Sequence, residues 1–581
     1  MTSDSTNQRR RWIAIARGDE PADLLLKGGR VLSVFTGEVF PADVAIADGF
    51  VVGVGQYSRG QSIDVSGKFL VPGFIDGHCH IESSKLSVHE FARAVLRSGT
   101  TAVVVDPHEL ANVLGLEGIQ YVLDAAGEVP LDIYVMLPSC VPASPFESPW
   151  RALTAADYGD LFSHPRVIGL AEMMNYPAVI AGEDEALDKL AAAGWSHIDG
   201  HAPSVSGRDL NAYLAGGPAT DHEATTLAEA LEKRRLGMWV MIREASMIRN
   251  LRDLIPLVKE HGTENTLFVT DDREADTLLD EGHINAMVRL AVAEGLSPGD
   301  AVKLATLNVA RCHGLAQCGA IAPGYRADIN MLPDLEAFVP DTVVKDGRVI
   351  LDQGRLLMGA EAPVVPASVR DTVRLGGLSP DALAVPTVHG AQLRTVELIP
   401  DQVVTRSLTV EPAVRDGLVV ADPERDLAKL AVFERHRETG DVGVGFVRGF
   451  GLRQGAFGSS VAHDAHNIVV VGVEDGDMLA AARRLSEIGG GLVVVSEGRV
   501  LGELPLPIAG LMSDRPAEEV AAGIKRLEAR LGELGVSLST PFMYLSFLAL
   551  SVIPELRVTD QGVVDVTRFE LVPLLEPRAG S

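Results

Sequence analysis

Residues 71–84 read Val-Pro-Gly-Phe-Ile-Asp-Gly-His-Cys-His-Ile-Glu-Ser-Ser. An apolar run, Phe69–Phe74, leads through Asp76 to His78 and His80. On a strand, residues i and i+2 share a face, so both imidazoles point to one side and Cys79 to the other. Neutral imidazole is a ligand for zinc, manganese or iron. The stretch is therefore expected to be a strand that delivers two metal ligands at its C-terminal end. In a (β/α)₈ barrel that end carries the active site.

Working outward, residues 71–318 alternate strand-like and helix-like pieces. Thr100–Val105, Leu131–Leu137, Val167–Ala171 and Leu267–Thr270 read as buried strands, with helical stretches such as Leu86–Ser98 and Ala224–Leu236 between them. Alternation over this length suits a (β/α)₈ barrel better than an open nucleotide-binding sheet, because no glycine-rich phosphate loop follows an early strand. Residues 21–70 and 319–365 share a different texture: short strands joined by turns such as Asp48-Gly49 and Asp346-Gly347. They are expected to form one small β-sandwich domain interrupted by the barrel. Residues 366–400 are Pro-rich and read as a linker, and 401–581 as a C-terminal α+β domain. Residues 1–20 begin polar and basic, without a signal-peptide core, and read as a disordered tail.

Composition narrows the function. The chain has 581 residues, too many for one hydrophobic core. Its net charge of -28 argues against nucleic acid and anionic membranes as partners. No apolar run is long enough to span a bilayer. Cys79, Cys140, Cys312 and Cys318 form no CxxC pair, which suggests a reducing, cytoplasmic setting without a zinc knot.

Further metal-ligand candidates sit at later strand ends. Glu172 closes Val-Ile-Gly-Leu-Ala, His201 follows His197–Asp199, and His222 lies one βα unit on, in Thr-Asp-His-Glu. Asp271 follows Leu-Phe-Val-Thr, where a carboxylate can touch a metal and accept a proton from metal-activated water. Each alone has an ordinary structural use; the ordered set HxH, Glu, His, His, Asp is the informative signal.

That set resembles the amidohydrolase superfamily, and the resemblance narrows to the bacterial adenine deaminases. Gly77–Ser84, Asp106-Pro107-His108-Glu109, Gly200-His201-Ala202-Pro203, Thr220-Asp221-His222-Glu223 and Thr270-Asp271-Asp272-Arg273 carry it in the barrel. His463–Val470, Leu506–Ser513 and Leu545–Leu550 carry it in the C-terminal part. The resemblance implies an amidohydrolase-type barrel with a homo-oligomeric assembly. It implies two divalent transition-metal ions per chain, Mn²⁺ foremost, with Fe²⁺ and Zn²⁺ also suited to the ligands. They would be held by His78, His80, Glu172, His201, His222 and Asp271. It also implies hydrolysis of adenine to hypoxanthine and ammonia, with a hydroxide shared by the ions attacking C6 and with Glu172, His222 and Asp271 in the catalytic centre. Glu172 stands where many superfamily members carry a carbamylated lysine.

Contacts to the purine are expected from Glu82, Ser83, His108, Arg243 and Glu244, although Arg243-Glu244 could equally pair structural elements. Glu82, Glu109 and Glu244 are the candidate donors to N1. His283, His463 and His466 fit either a site-facing or a structural role. Rival readings are a deaminase of another aminopurine or pterin, a cyclic amide hydrolase, and a non-catalytic metal-binding scaffold.

Overall fold

The computed structural model describes residues 3–194, 196–359, 364–400 and 402–577. Met1 and Thr2 of the expected tail, and Asp401 and residues 578–581 of the expected C-terminal domain, lie outside it, as do residues 360–363.

Strands β1 (Ala22–Leu32), β2 (Val39–Ala47), β3 (Phe50–Gly55), β4 (Gly60–Asp64) and β5 (Phe69–Pro72) precede the barrel. Asp48 and Gly49 both have positive φ, 52° and 81°, as a tight hairpin between β2 and β3 requires. Eight strands follow: β6 (Phe74–Cys79), β7 (Thr100–Val105), β8 (Asp132–Leu137), β9 (Val167–Met173), β10 (His197–Gly200), β11 (Thr220–Asp221), β12 (Trp239–Arg243) and β13 (Thr266–Val269). After them come β14 (Ile329–Leu332), β15 (Thr342–Lys345), β16 (Arg348–Asp352) and β17 (Arg355–Leu356). β14 pairs antiparallel with β5, placing Asn330 opposite Val71, so the strands on either side of the barrel belong to one nine-stranded sheet.

Strands β6 to β10 pair in parallel in chain order, as do β11 to β13. The two runs meet where Ala219 N–H donates to the Ile198 carbonyl, 2.9 Å away. The other junction lies just past the ends of β6 and β13. Asp271 N–H donates to the His78 carbonyl at 3.0 Å, and His80 N–H to the Asp271 carbonyl at 3.4 Å. Both β6 and β7 are buried along their whole length, as strands covered on both faces must be.

Two expectations are corrected. Residues 3–16 are a helix, α1 (Ser3–Ala16), not a disordered tail. Ile15 is buried, the Trp12 ring lies 4.9 Å from that of Phe50, and Trp12 Nε1–H donates to Asp48 at 2.9 Å. The polar run at the start of the helix masks these two anchors, three residues apart on one face.

Nor are residues 366–400 only a linker. Ala391–Leu398 is a strand inside the C-terminal sheet, paired with Thr405–Val410, Val442–Arg448 and Leu575–Pro577. Val373 and Leu383 are buried in that domain's core. The prolines obscure a short strand whose partners lie far along the chain.

The C-terminal sheet has nine strands, and the helices Asp475–Glu487 and Ala517–Glu533 cover it. It is not a separate body, because one apolar cluster runs from Phe91, Leu110 and Tyr158 of the barrel into Phe457, Leu511 and Leu545 of the C-terminal domain. Phe457 is fully buried there, edge-on to Phe450 at 5.2 Å and Phe542 at 5.6 Å. Phe457→Ala should therefore cost about 3–5 kcal/mol, the usual range for emptying a buried aromatic site. It should be read as a lower denaturant midpoint; a midpoint unchanged from the parent protein would show that the ring is not part of a cooperative core.

Candidate metal centre

His78 is the penultimate residue of β6 and His80 the first residue beyond it, and both rings face Glu172. Cys79 points the other way into the apolar core, where burial pushes its thiol well up, as expected of packing rather than a nucleophile. His80 Nδ1 bonds the Asp106 carbonyl at 3.1 Å, which fixes the proton there and leaves Nε2 free on the axial side.

Glu172, at the end of β9, sits at the middle of the cluster. Its Oε1 lies 3.6 Å from His78 Nε2 and 3.4 Å from His80 Nε2. Its Oε2 lies 2.8 Å from His201 Nδ1 and 3.4 Å from His222 Nε2. One carboxylate thus divides its two oxygens between two pairs of imidazoles. Asp271 Oδ1 adds to the first pair, 3.4 Å from His78 and 3.3 Å from His80.

Burial alone would raise both carboxyls. The His222, His201 and His78 rings instead hold Glu172 well below the usual carboxylate range, and Arg243 with His78 and His80 does the same for Asp271. His78 Nε2, His201 Nε2 and His222 Nδ1 are buried without a hydrogen-bond partner. Buried polar atoms are ordinarily paired, so these orphaned nitrogens around ionised carboxylates fit a cation-holding site.

Neighbouring residues hold this arrangement in place. Asp76 accepts from Thr270 Oγ at 2.5 Å and lies 3.1 Å from His283 Nε2, while the other His283 nitrogen faces Thr100 Oγ at 2.9 Å. His283 therefore ties β6, β7 and the end of β13 together, which makes its role structural. Lys233, fully buried, donates to Ala202 O at 2.7 Å and to Asp221 at 2.8 Å, pinning the residues next to His201 and His222.

The cavity above the cluster is lined by His80, His108, Glu172, His201, His222, Arg243 and Asp271. His108 is held by Asp106 at 2.9 Å. Arg243 donates to Asp271 Oδ2 at 3.0 Å and to Glu223. Glu82 and Ser83 do not line this cavity. Ser83 Oγ bonds Glu109 at 2.9 Å and Asp272 at 2.5 Å, and Glu82 accepts from Leu110 N–H at 3.3 Å. Burial, followed by the Glu109 charge, pushes the Glu82 carboxyl up to about 8.

Glu244, expected at the purine, is turned away; its carboxylate accepts from Leu251 N–H at 3.2 Å and lies 4.0 Å from Arg249. The reason is strand parity: with Arg243 facing the axis, the next residue faces out. None of the three glutamates considered as N1 donors lines the cavity, whereas Glu223, Asp272 and Asp464 do.

The C-terminal domain supplies the roof. His463, Asp464, Phe547, Leu550 and Ile553 line the cavity together with the metal-ligand candidates, Met174 and Ile248. Asp464 Oδ1 lies 3.6 Å from His108 Nε2, and the His463 ring stacks on Phe547 at 4.7 Å. Sequence reasoning singled out His463 but not Asp464, Glu223 or the apolar roof. Asp464, Glu223, Phe547 and Leu550 were signalled only by their place inside the quoted motifs, and Ile553 lies outside them.

Residues 69–350 match the amidohydrolase family, and 402–570 match the adenine deaminase C-terminal domain. The chain is 48% identical over 563 residues to adenine deaminase 2 of Carboxydothermus hydrogenoformans, covering 97% of this chain and 98% of that protein. The chain belongs to the adenine deaminase family. It is also 47% identical over 565 residues to the adenine deaminase of Oleidesulfovibrio alaskensis, covering 97% and 98%. The identity to the adenine deaminase of Brucella suis is 45% over 556 residues, 96% of this chain and 95% of that one. The similarity to these family members thus spans both the barrel and the roof.

Lys233→Met tests the support of the cluster. It leaves Asp221 as a buried charge with its main cation gone, which costs about 3–5 kcal/mol for a pair of this kind. The variant should unfold at lower temperature and hold less metal than the parent protein under equal loading. Unchanged metal content by elemental analysis would show that the pin does not position His201 and His222.

Proposed function

We propose that the protein deaminates adenine hydrolytically to hypoxanthine and ammonia, with two divalent ions held by His78, His80, Glu172, His201, His222 and Asp271. What carries the reading is the division of Glu172 between two imidazole pairs, in a family whose members here are named adenine deaminases. Glu172 would help to hold both ions, and Mn²⁺, Fe²⁺ and Zn²⁺ all suit such donors. Bound ions lower the pKa of water and so supply a nucleophile at neutral pH.

The residues of the chain do the rest. Asp271 is ionised and placed beside His78 and His80, so it can take a proton from the attacking water and hand it to the departing amine. Arg243 orients that carboxylate from its other oxygen. Met174, Ile248, Phe547, Leu550 and Ile553 give a flat heterocycle apolar surface and exclude bulk water, while His108 and Asp464 offer polar edges to its nitrogens.

Ammonia release from a panel of free bases tests the substrate. Adenine should be turned over best, and the proposal fails if another aminopurine or a pterin is preferred. Two variants separate the carboxylates. Asp271→Asn keeps an oxygen for the ions but cannot accept the proton, so metal content should stay near normal while kcat falls by about 10²–10⁴. Glu172→Gln removes the charge between two dications. It should lose at least one ion, with activity partly restored by excess Mn²⁺. Near-normal turnover in Asp271→Asn would exclude Asp271 as the base and point to Asp272.

A further inference from the structure

A second cluster of ligating side chains lies at the other end of the barrel. His197 opens β10, four residues before His201, which puts it roughly 13 Å below the catalytic end at about 3.3 Å per residue. Cys312 ends the helix Leu307–Cys312 and His313 is its C-cap, while Val309 and Ala310 pack with Cys312 against Ile75, Ala102, Met136 and Leu267. The helix thus plugs the barrel floor. One donor atom from each of His197, Cys312 and His313 lies within 4.8 Å of the others. The rings of His197 and His313 are 4.7 Å apart.

Two features of the cluster lack a purely structural explanation. His313 is buried, and neither of its ring nitrogens has a partner in good hydrogen-bond geometry, although the Gly77 backbone is near enough to favour its protonated form. Burial pushes this imidazole down to about 4, so it is neutral and able to ligate. Asp199 Oδ1 accepts from Thr220 Oγ at 2.8 Å and holds His197 Nε2 at 2.8 Å, which leaves His197 Nδ1 with its lone pair free. A carboxylate that orients an imidazole in this way is the usual support of a metal-bound histidine. Asp199 Oδ2 is itself buried and unpaired. Cys312 is a free thiol.

We infer that His197, Cys312 and His313 form a separate binding site for a zinc-type divalent ion, with Asp199 orienting His197, that fastens the plug helix to β10. Two imidazoles and one thiolate are a borderline-soft set that selects zinc or cobalt, and it needs no CxxC pair. Binding deprotonates Cys312, and the thiol proton passes to solvent at the edge of His197, whose side chain is 12% exposed. The site lies outside the catalytic cluster and does not depend on the substrate assigned above.

Cobalt distinguishes the two centres, because the six catalytic ligand candidates contain no sulfur. The full-length protein, prepared with its catalytic ions, is titrated with Co²⁺ and followed by absorption. A thiolate-to-cobalt charge-transfer band should grow to saturation at about one equivalent per chain. Cys312→Ser should abolish the band while adenine turnover stays near normal, and Cys140→Ser should keep it. His313→Gln should retain the band but weaken Co²⁺ binding by about tenfold or more. Absence of the band in the parent protein, its survival in Cys312→Ser, or its loss in Cys140→Ser would each overturn the inference.

Discussion

Asp271 donates its backbone N–H to the carbonyl of His78, and the rest of the centre depends on that closure. His78 belongs to the first barrel strand, while Asp271 lies just past the last, almost two hundred residues later. Their side chains can meet only if the strands curl through a full turn. Once they do, Glu172, His201, His222 and Arg243, from the ends of strands between them, face the same small volume. The cost of gathering ionised carboxylates and imidazoles in a buried space is large. It is offset here by pairing each carboxylate with several rings, by Arg243, and by backbone and side-chain bonds that fix the tautomers and loops.

The barrel part of this arrangement was legible because strand ends have a sequence signature. Apolar runs that stop near His78, Glu172 and Asp271 can be read without knowing their neighbours, His201 and His222 from their spacing of one βα unit, and the structure brings these side chains together. Arg243 and Glu244 mark the limit of that reading: which of two adjacent residues faces the axis is a matter of register, and one residue of error exchanges them. Glu223 was missed because it follows a histidine that already accounted for the motif.

The roof was less legible for a different reason. Asp464, Phe547, Leu550 and Ile553 lie in segments whose local pattern says only that they are buried. Their position over the cavity is set by docking of one domain on another, through a core shared with Phe91 and Leu110. Trp12 and Ile15 are similar: a short helix gains its stability from a surface that the sequence places elsewhere. Local pattern reports periodicity, not the partner that makes a marginal element stable.

The shared core also constrains how fast the cavity can exchange its contents. A roof welded to the barrel by continuous apolar packing cannot swing open as a rigid lid without breaking that packing. Passage of a flat base must then use small displacements of side chains such as Met174, Ile248 and Leu550 at the cavity edge. Such motions are quick individually but must coincide, and release of product can become the slow step in enzymes gated in this way. The turnover rate would then fall as solvent viscosity rises, while a rate limited by bond breaking would not.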